Sequence, residues 1–159
     1  MPSNEDLATI LSDALDDERK AEATYSAIIE TFGPVRPFIN IIDAEARHSA
    51  AIERQMRRLD LAIPENPWRA SVIEPPNSLA DACAIAIDAE IQNIALYDRL
   101  IPQIGDSAVK HVLQNLQDAS RNNHLRAFRR SLAREKGERG GNPIGRGRSG
   151  PRHHAGCGS

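Results

Sequence analysis

Aromatic side chains are scarce in this sequence: one Trp, two Tyr and three Phe among 159 residues. A core of the size this length allows must then be built from Ala, Ile and Leu, a composition that favours helices. Cysteine is scarce too, with Cys83 inside a helical pattern and Cys157 near the last residue. Two such residues cannot make the disulfide framework of a small secreted fold, and a reducing cytoplasm is the expected setting. No apolar run approaches the ~20 residues needed to cross a bilayer, so no membrane-spanning helix is expected. The opening Met-Pro-Ser-Asn-Glu-Asp also lacks the basic and apolar stretches of a secretory signal.

Glycine is nearly absent until Gly137 and abundant after it, where four Arg and two His accompany it and no apolar face survives. Residues 137–159 are therefore expected to form a disordered Gly/Arg-rich tail carrying +3, against −5 for the rest of the chain. Arg146-Gly147-Arg148 could touch phosphates, but no aromatic residue is present to stack on bases, so nucleic acid is a poor partner. A linker or address peptide suits the tail better. His153, His154 and Cys157 leave metal delivery through the tail as the least favoured reading.

Before the tail, helical periodicity fills four segments separated by Pro and Gly. The first spans about Asn4 to Phe32, with Leu7, Leu11, Ala14, Glu18, Ala21, Tyr25, Ile28 and Phe32 on one face, and Gly33-Pro34 ends it. The second begins near Pro37 and carries Phe38, Ile41, Glu45, His48, Ile52, Met56 and Leu59 inward. Four prolines between 60 and 77 forbid a continuous helix there and predict a long crossover along the bundle. Ser78 with Asp81 starts the third segment, whose face reads Leu79, Cys83, Ala86, Glu90, Asn93 or Ile94, Tyr97 and Leu100. Asp106 caps the fourth, with Val109, Leu113, Leu116, Ser120, His124, Phe128 and Leu132 inward to about Lys136. The expected fold is an all-α antiparallel four-helix bundle over residues 1–136, with a long crossover between helices 2 and 3.

The two halves repeat. Ala14 to Glu18 and Tyr25 align with Ala86 to Glu90 and Tyr97 at one constant offset. A pseudo-two-fold axis would then bring Glu18 and Glu90 to the bundle axis from equivalent helices, joined by Glu45 and His48. Residues three apart on a helix share a face, so Glu45 and His48 can bind one cation together. Four-helix di-iron proteins use one Glu from each of two helices and a Glu-x-x-His from each of the others. Five of those six positions are filled here, by Glu18, Glu45, His48, Glu90 and His124; the sixth aligns with Ser120. The offset also grows by one residue between Ser120 and His124, which predicts a π-bulge within that stretch.

Glu18 with Tyr25, Glu45-x-x-His48, Glu90 with Tyr97, and His124 within Asn123 to Phe128 resemble the ferritin-like superfamily, in an uncharacterised bacterial branch, over residues 5–135. The resemblance implies a carboxylate-bridged iron pair reacting with dioxygen or peroxide. Three carboxylates and two imidazoles suit Fe, with Mn or Zn as substitutes, better than Cu(I). Ser120 departs from the pattern and leaves two alternatives, a degenerate single-metal site or a non-catalytic binding module whose basic tail recruits a partner. The sparse aromatic core is also compatible with a homodimer. Tyr25 and Tyr97, each two turns beyond a ligand Glu, could donate hydrogen bonds to the site or carry redox equivalents, although filling bundle space is the commoner role of such a ring. Glu22 is either a replacement ligand or an exposed charge, and Asp16, Asp43, Asp88 and Asp118 are expected on the surface, in i, i+4 pairs such as Asp16 with Lys20 and Asp43 with Arg47.

Overall fold

The structure, a computed structural model, describes residues 3–140. Helix α1 (Asn4–Phe32) begins where Ser3 Oγ accepts the Asp6 N–H while the Asp6 carboxylate accepts the Ser3 N–H, a reciprocal cap that satisfies two otherwise unpaired donors. It ends at Gly33, whose φ of +87° is a conformation that a Cβ would penalise. Helix α2 (Phe38–Arg58) follows after a short turn. Helix α3 (Leu79–Leu100) is capped by Ser78 through the Asp81 N–H. Asp106 caps α4 (Ser107–Ala119) through the Val109 N–H at 2.9 Å.

The fourth bundle helix is not one regular element. A π-helical segment at Ser120–His124 joins α4 to α5 (Leu125–Gly140), and the Leu125 N–H bonds to the Ser120 carbonyl. The extra residue is absorbed where the repeat predicted it. Leu113 and Leu116 before the segment, and Phe128 after it, therefore all face the core, as the exposed Arg121, Asn122 and Asn123 take up the difference. Helix α5 continues through Gly140 rather than stopping near Lys136. The rest of the expected tail, with Arg146, Arg148, His153, His154 and Cys157, lies outside the described residues.

Two apolar clusters fix the topology. At one end Leu7 and Leu11 of α1 meet Met56 of α2, Tyr97 and Leu100 of α3, and Val109 and Leu113 of α4. At the other, Tyr25 and Ile28 meet Phe38 and Ile41, Cys83 and Ala86, and Phe128. The start of α1 thus lies with the ends of α2 and α3, so each hairpin is antiparallel while α2 and α3 run the same way. The chain between them must travel the length of the bundle. It is pinned on the way: Arg19 donates to the Pro64 carbonyl at 2.9 Å, Trp68 Nε1 donates to Asp16 at 2.7 Å, and Lys20 Nζ sits 5.3 Å from the Trp68 ring. A single 3-10 turn at Ala70–Val72 interrupts this crossover.

Few aromatics suffice because three of them are concentrated in one place. Tyr25, Phe38 and Phe128 pack with ring centroids 5.0 to 5.7 Å apart and close one end of the bundle. Leu113 does the equivalent at the other end, fully buried among four helices. Its truncation to Ala is expected to cost about 2–5 kcal/mol by the cavity it leaves, measured by urea unfolding; a loss under about 1 kcal/mol would mean that this end is loosely packed.

Candidate metal centre

Between the two apolar clusters, the inward faces of all four helices turn polar in one layer. Glu18 is 0% exposed, Glu45 and Glu90 are 2% exposed, and His48 and His124 are buried with them. An ionised carboxylate removed from water without a partner costs several kcal/mol or takes up a proton. Convergence of three such carboxylates therefore needs compensating charge.

Their geometry divides into two linked sets. Glu18, Glu45 and His48 form one, and Glu45, Glu90 and His124 the other; in each, ligand atoms from all three residues lie within 4.8 Å of one another. Glu45 belongs to both. Its Oε2 lies 3.4 Å from His48 Nδ1 and its Oε1 lies 3.0 Å from His124 Nδ1. Glu18 Oε2 completes the first set at 3.0 Å from His48 Nδ1, and Glu90 Oε1 the second at 3.5 Å from His124 Nδ1. The two imidazoles stack with centroids 5.5 Å apart and planes inclined by 16°.

Without a metal, protons hold this layer together. Burial, and then the charge of Glu45, push the Glu18 carboxyl up to about 7. Burial opposes charge on the imidazoles, but hydrogen bonding to Glu18 and Glu45 lifts His48 to about 9, and interaction with Glu45 and Glu90 lifts His124 to about 10. Glu45 moves the other way: burial would raise it, yet His124 and His48 together hold it below the usual carboxylate range. His124 remains incompletely satisfied. Its Nδ1 sits at ion-pair distance from Glu45, but the direction of the N–H misses the carboxylate, leaving a buried nitrogen with no hydrogen-bond partner. A cation between the carboxylates would give that nitrogen a partner and replace the protons, so the donor set fits a metal.

Around these residues the two-fold repeat returns as hydrogen bonds. Tyr25 of α1 donates to Glu90 Oε1 of α3 at 2.7 Å, and Tyr97 of α3 donates to Glu18 Oε1 of α1. Burial, with the neighbouring carboxylates, pushes both phenols well above their ordinary range and keeps them as donors. Both roles expected of these tyrosines are present: Tyr25 packs on Phe38 and Phe128, Tyr97 packs in the opposite apolar cluster, and each hydroxyl orients a carboxylate.

Ser120 donates to Asn93 Oδ1 at 2.9 Å, and the Asn93 amide donates to Glu18 Oε1 at 3.1 Å and to Asp17 Oδ2 at 2.7 Å. Ser120 therefore reaches the carboxylates only through Asn93. Asn93 and Asp17 were missed as site residues by sequence reasoning, although Asn93 lies three residues after Glu90 on the same face. Burial above all raises the Asp17 carboxyl to about 6, against the Asn93 hydrogen bond. Glu22 does not replace the missing ligand: it is half-buried and lines a separate cleft with Arg19 and Trp68. Asp16, Asp43, Asp88 and Asp118 are exposed as expected, but Asp16 receives Trp68 instead of pairing with Lys20. Cys83 is buried in its seam.

No protein-family model and no curated protein matches this chain. The crystal structure of a hypothetical protein from Methanococcus jannaschii is similar in fold, with a TM-score of 0.75 over 86% of this chain and 85% of that one at 23% identity. The likeness is one of architecture.

The raised imidazoles give a signed pH effect. Their folded values of about 9 and about 10 exceed the unfolded 6.5, so their contribution is complete below the unfolded value and is lost as pH rises through the folded ones. Metal-free protein is expected to lose thermal stability from pH 7 to pH 10, whereas added zinc, which competes with the same protons, is expected to stabilise more as pH rises. Differential scanning calorimetry with and without zinc checks both slopes; parallel slopes would contradict the exchange of protons for metal.

Proposed function

We propose that this protein is a ferritin-like carboxylate protein holding a pair of metal ions, iron foremost and Mn or Zn as substitutes, and that it reacts with dioxygen or peroxide. The observation that carries this reading is the position of Glu45, whose two oxygens face the imidazoles of two separate ligand sets. A carboxylate shared in this way suits two cations better than one. Glu18 and His48 would hold one ion, Glu90 and His124 the other, and Glu45 both.

Bound iron would supply the electrons for reducing dioxygen or peroxide. The chain's own residues do the rest. Tyr97 and Asn93 fix Glu18 through Oε1 and leave Oε2 toward His48, while Tyr25 fixes Glu90. The apolar layers above and below exclude bulk water and strengthen each charge interaction in the middle layer. His48 and His124 must shed their protons to bind, so loading releases acid.

Ser120 favours a second reading, a bundle that retains metal as a structural element and has lost the chemistry. Its hydroxyl is engaged by Asn93 where the full pattern would place a fourth carboxylate. Anaerobic Fe(II) titration followed by admission of air decides between the two. The first reading expects about two iron ions per chain and a new oxidised-iron absorption band. Glu45→Ala is expected to reduce loading of both positions, and Glu18→Ala chiefly one. Binding without oxidation supports the second reading, and less than one iron per chain contradicts both.

A further inference from the structure

A pocket of about 240 Å³ opens between α1 and α3 and reaches the metal-site layer from one side. Its inner end is formed by the buried Glu45 and Glu90, with Tyr25 and Asn93; its outer part includes the half-buried Asp17 and the exposed Asp88. Ala21 and Ala89 line the walls, and these small side chains keep the passage open. Dioxygen or peroxide is close to water in size, and water occupies ~30 Å³ of liquid volume. The pocket is thus several times larger than the oxidant requires and suits a small organic molecule.

Charge sets the polarity such a molecule must have. Two divalent ions bring four positive charges, and the three carboxylates Glu18, Glu45 and Glu90 return three. Where the complete pattern has a fourth carboxylate, this chain has the neutral Ser120, tied to Asn93 at the edge of the same pocket. The three carboxylates that would hold the two ions thus leave one positive charge unmatched at the inner end, where it would attract an anion, with Asp17 held just outside them through Asn93. The outer part has the opposite sign. Asp17 and Asp88 line it together with one cation, Lys20, whose ammonium also lies over Trp68, so carboxylates outnumber ammonium groups there by two to one.

Resting on the two-metal reading, we propose that this pocket binds a small zwitterion of the amino-acid type, with its carboxylate inward as the fourth anionic charge and its ammonium outward toward Asp17 and Asp88. The chain's missing carboxylate is then supplied by the ligand. A simple fatty acid would meet like charge at the outer end, and a simple amine would meet it at the inner end.

The test uses the full chain loaded with zinc, with zinc content measured first, and isothermal titration with 4-aminobutyrate, butyrate and n-butylamine. The proposal expects 4-aminobutyrate to bind about tenfold or more tighter than either singly charged analogue, and to lose about tenfold when zinc is left out. Asp88→Asn, an exposed change that leaves the fold intact, is expected to weaken 4-aminobutyrate several-fold without weakening butyrate. Ala89→Phe, which fills the passage, is expected to abolish binding at unchanged zinc content. Equal affinity for butyrate and 4-aminobutyrate, indifference to Asp88→Asn, or binding undiminished without zinc each overturns the proposal. A chain that takes up zinc and ignores the zwitterion overturns this inference alone, whereas a chain that takes up no zinc removes the two-metal reading and this inference with it.

Discussion

Three glutamates converge in the dry middle of a helical bundle, and most other features of the structure answer the cost of that convergence. Glu18, Glu45 and Glu90 come from three different helices and are almost fully withdrawn from water. Left to itself, such a layer would protonate or push the helices apart. Instead, two imidazoles face the carboxylates, Tyr97 and Asn93 fix Glu18 and Tyr25 fixes Glu90, with close apolar packing above and below. A structure that needed only stability would fill this layer with leucine, since replacing buried charge by apolar packing is commonly neutral or favourable. The polar layer is thus better explained by the metal that these groups could hold.

The layer is symmetric in its supports and asymmetric in its ligands. Tyr25 and Tyr97 cross between α1 and α3 to hold each other's glutamate, which is the pseudo-two-fold repeat expressed as hydrogen bonds. The fourth helix breaks the symmetry. Its π-helical segment adds one residue between Ser120 and His124, so His124 still enters the layer although the carboxylate position before it is vacated. Ser120 then serves Asn93, and Asn93 serves Glu18 and Asp17. The departure from a full six-ligand pattern is therefore accommodated by neighbours, and no buried oxygen at Ser120 is left without a partner.

Much of this was legible in the sequence because helices impose a simple period. Seam positions such as Leu11, Ile52, Cys83 and Leu113 are buried as that period requires, and Glu18, Glu45, Glu90 and His124 are buried for the same reason. Even the π-helical segment followed from a one-residue change in the repeat offset. What escaped was lateral. Asp17 sits one residue off the seam and reaches the site only because Asn93 leans across from α3, and no periodicity within one helix records a contact between two. The tyrosine hydroxyls were legible as donors to the site but their partners were not, since spacing places a ring on a face and leaves open that each hydroxyl crosses to the other helix's glutamate. The path of the crossover depends on Arg19 and Trp68, whose partners are 45 and 52 residues away in the chain.

The claim on which the rest stands is that Glu45 is shared between two cation positions. Anomalous diffraction from crystals loaded with metal, collected across that metal's absorption edge, tests it most directly. Two peaks are expected to flank the Glu45 carboxylate, one beside Glu18 and His48 and the other beside Glu90 and His124. A middle layer without anomalous density, with metal bound only on the surface, would contradict it.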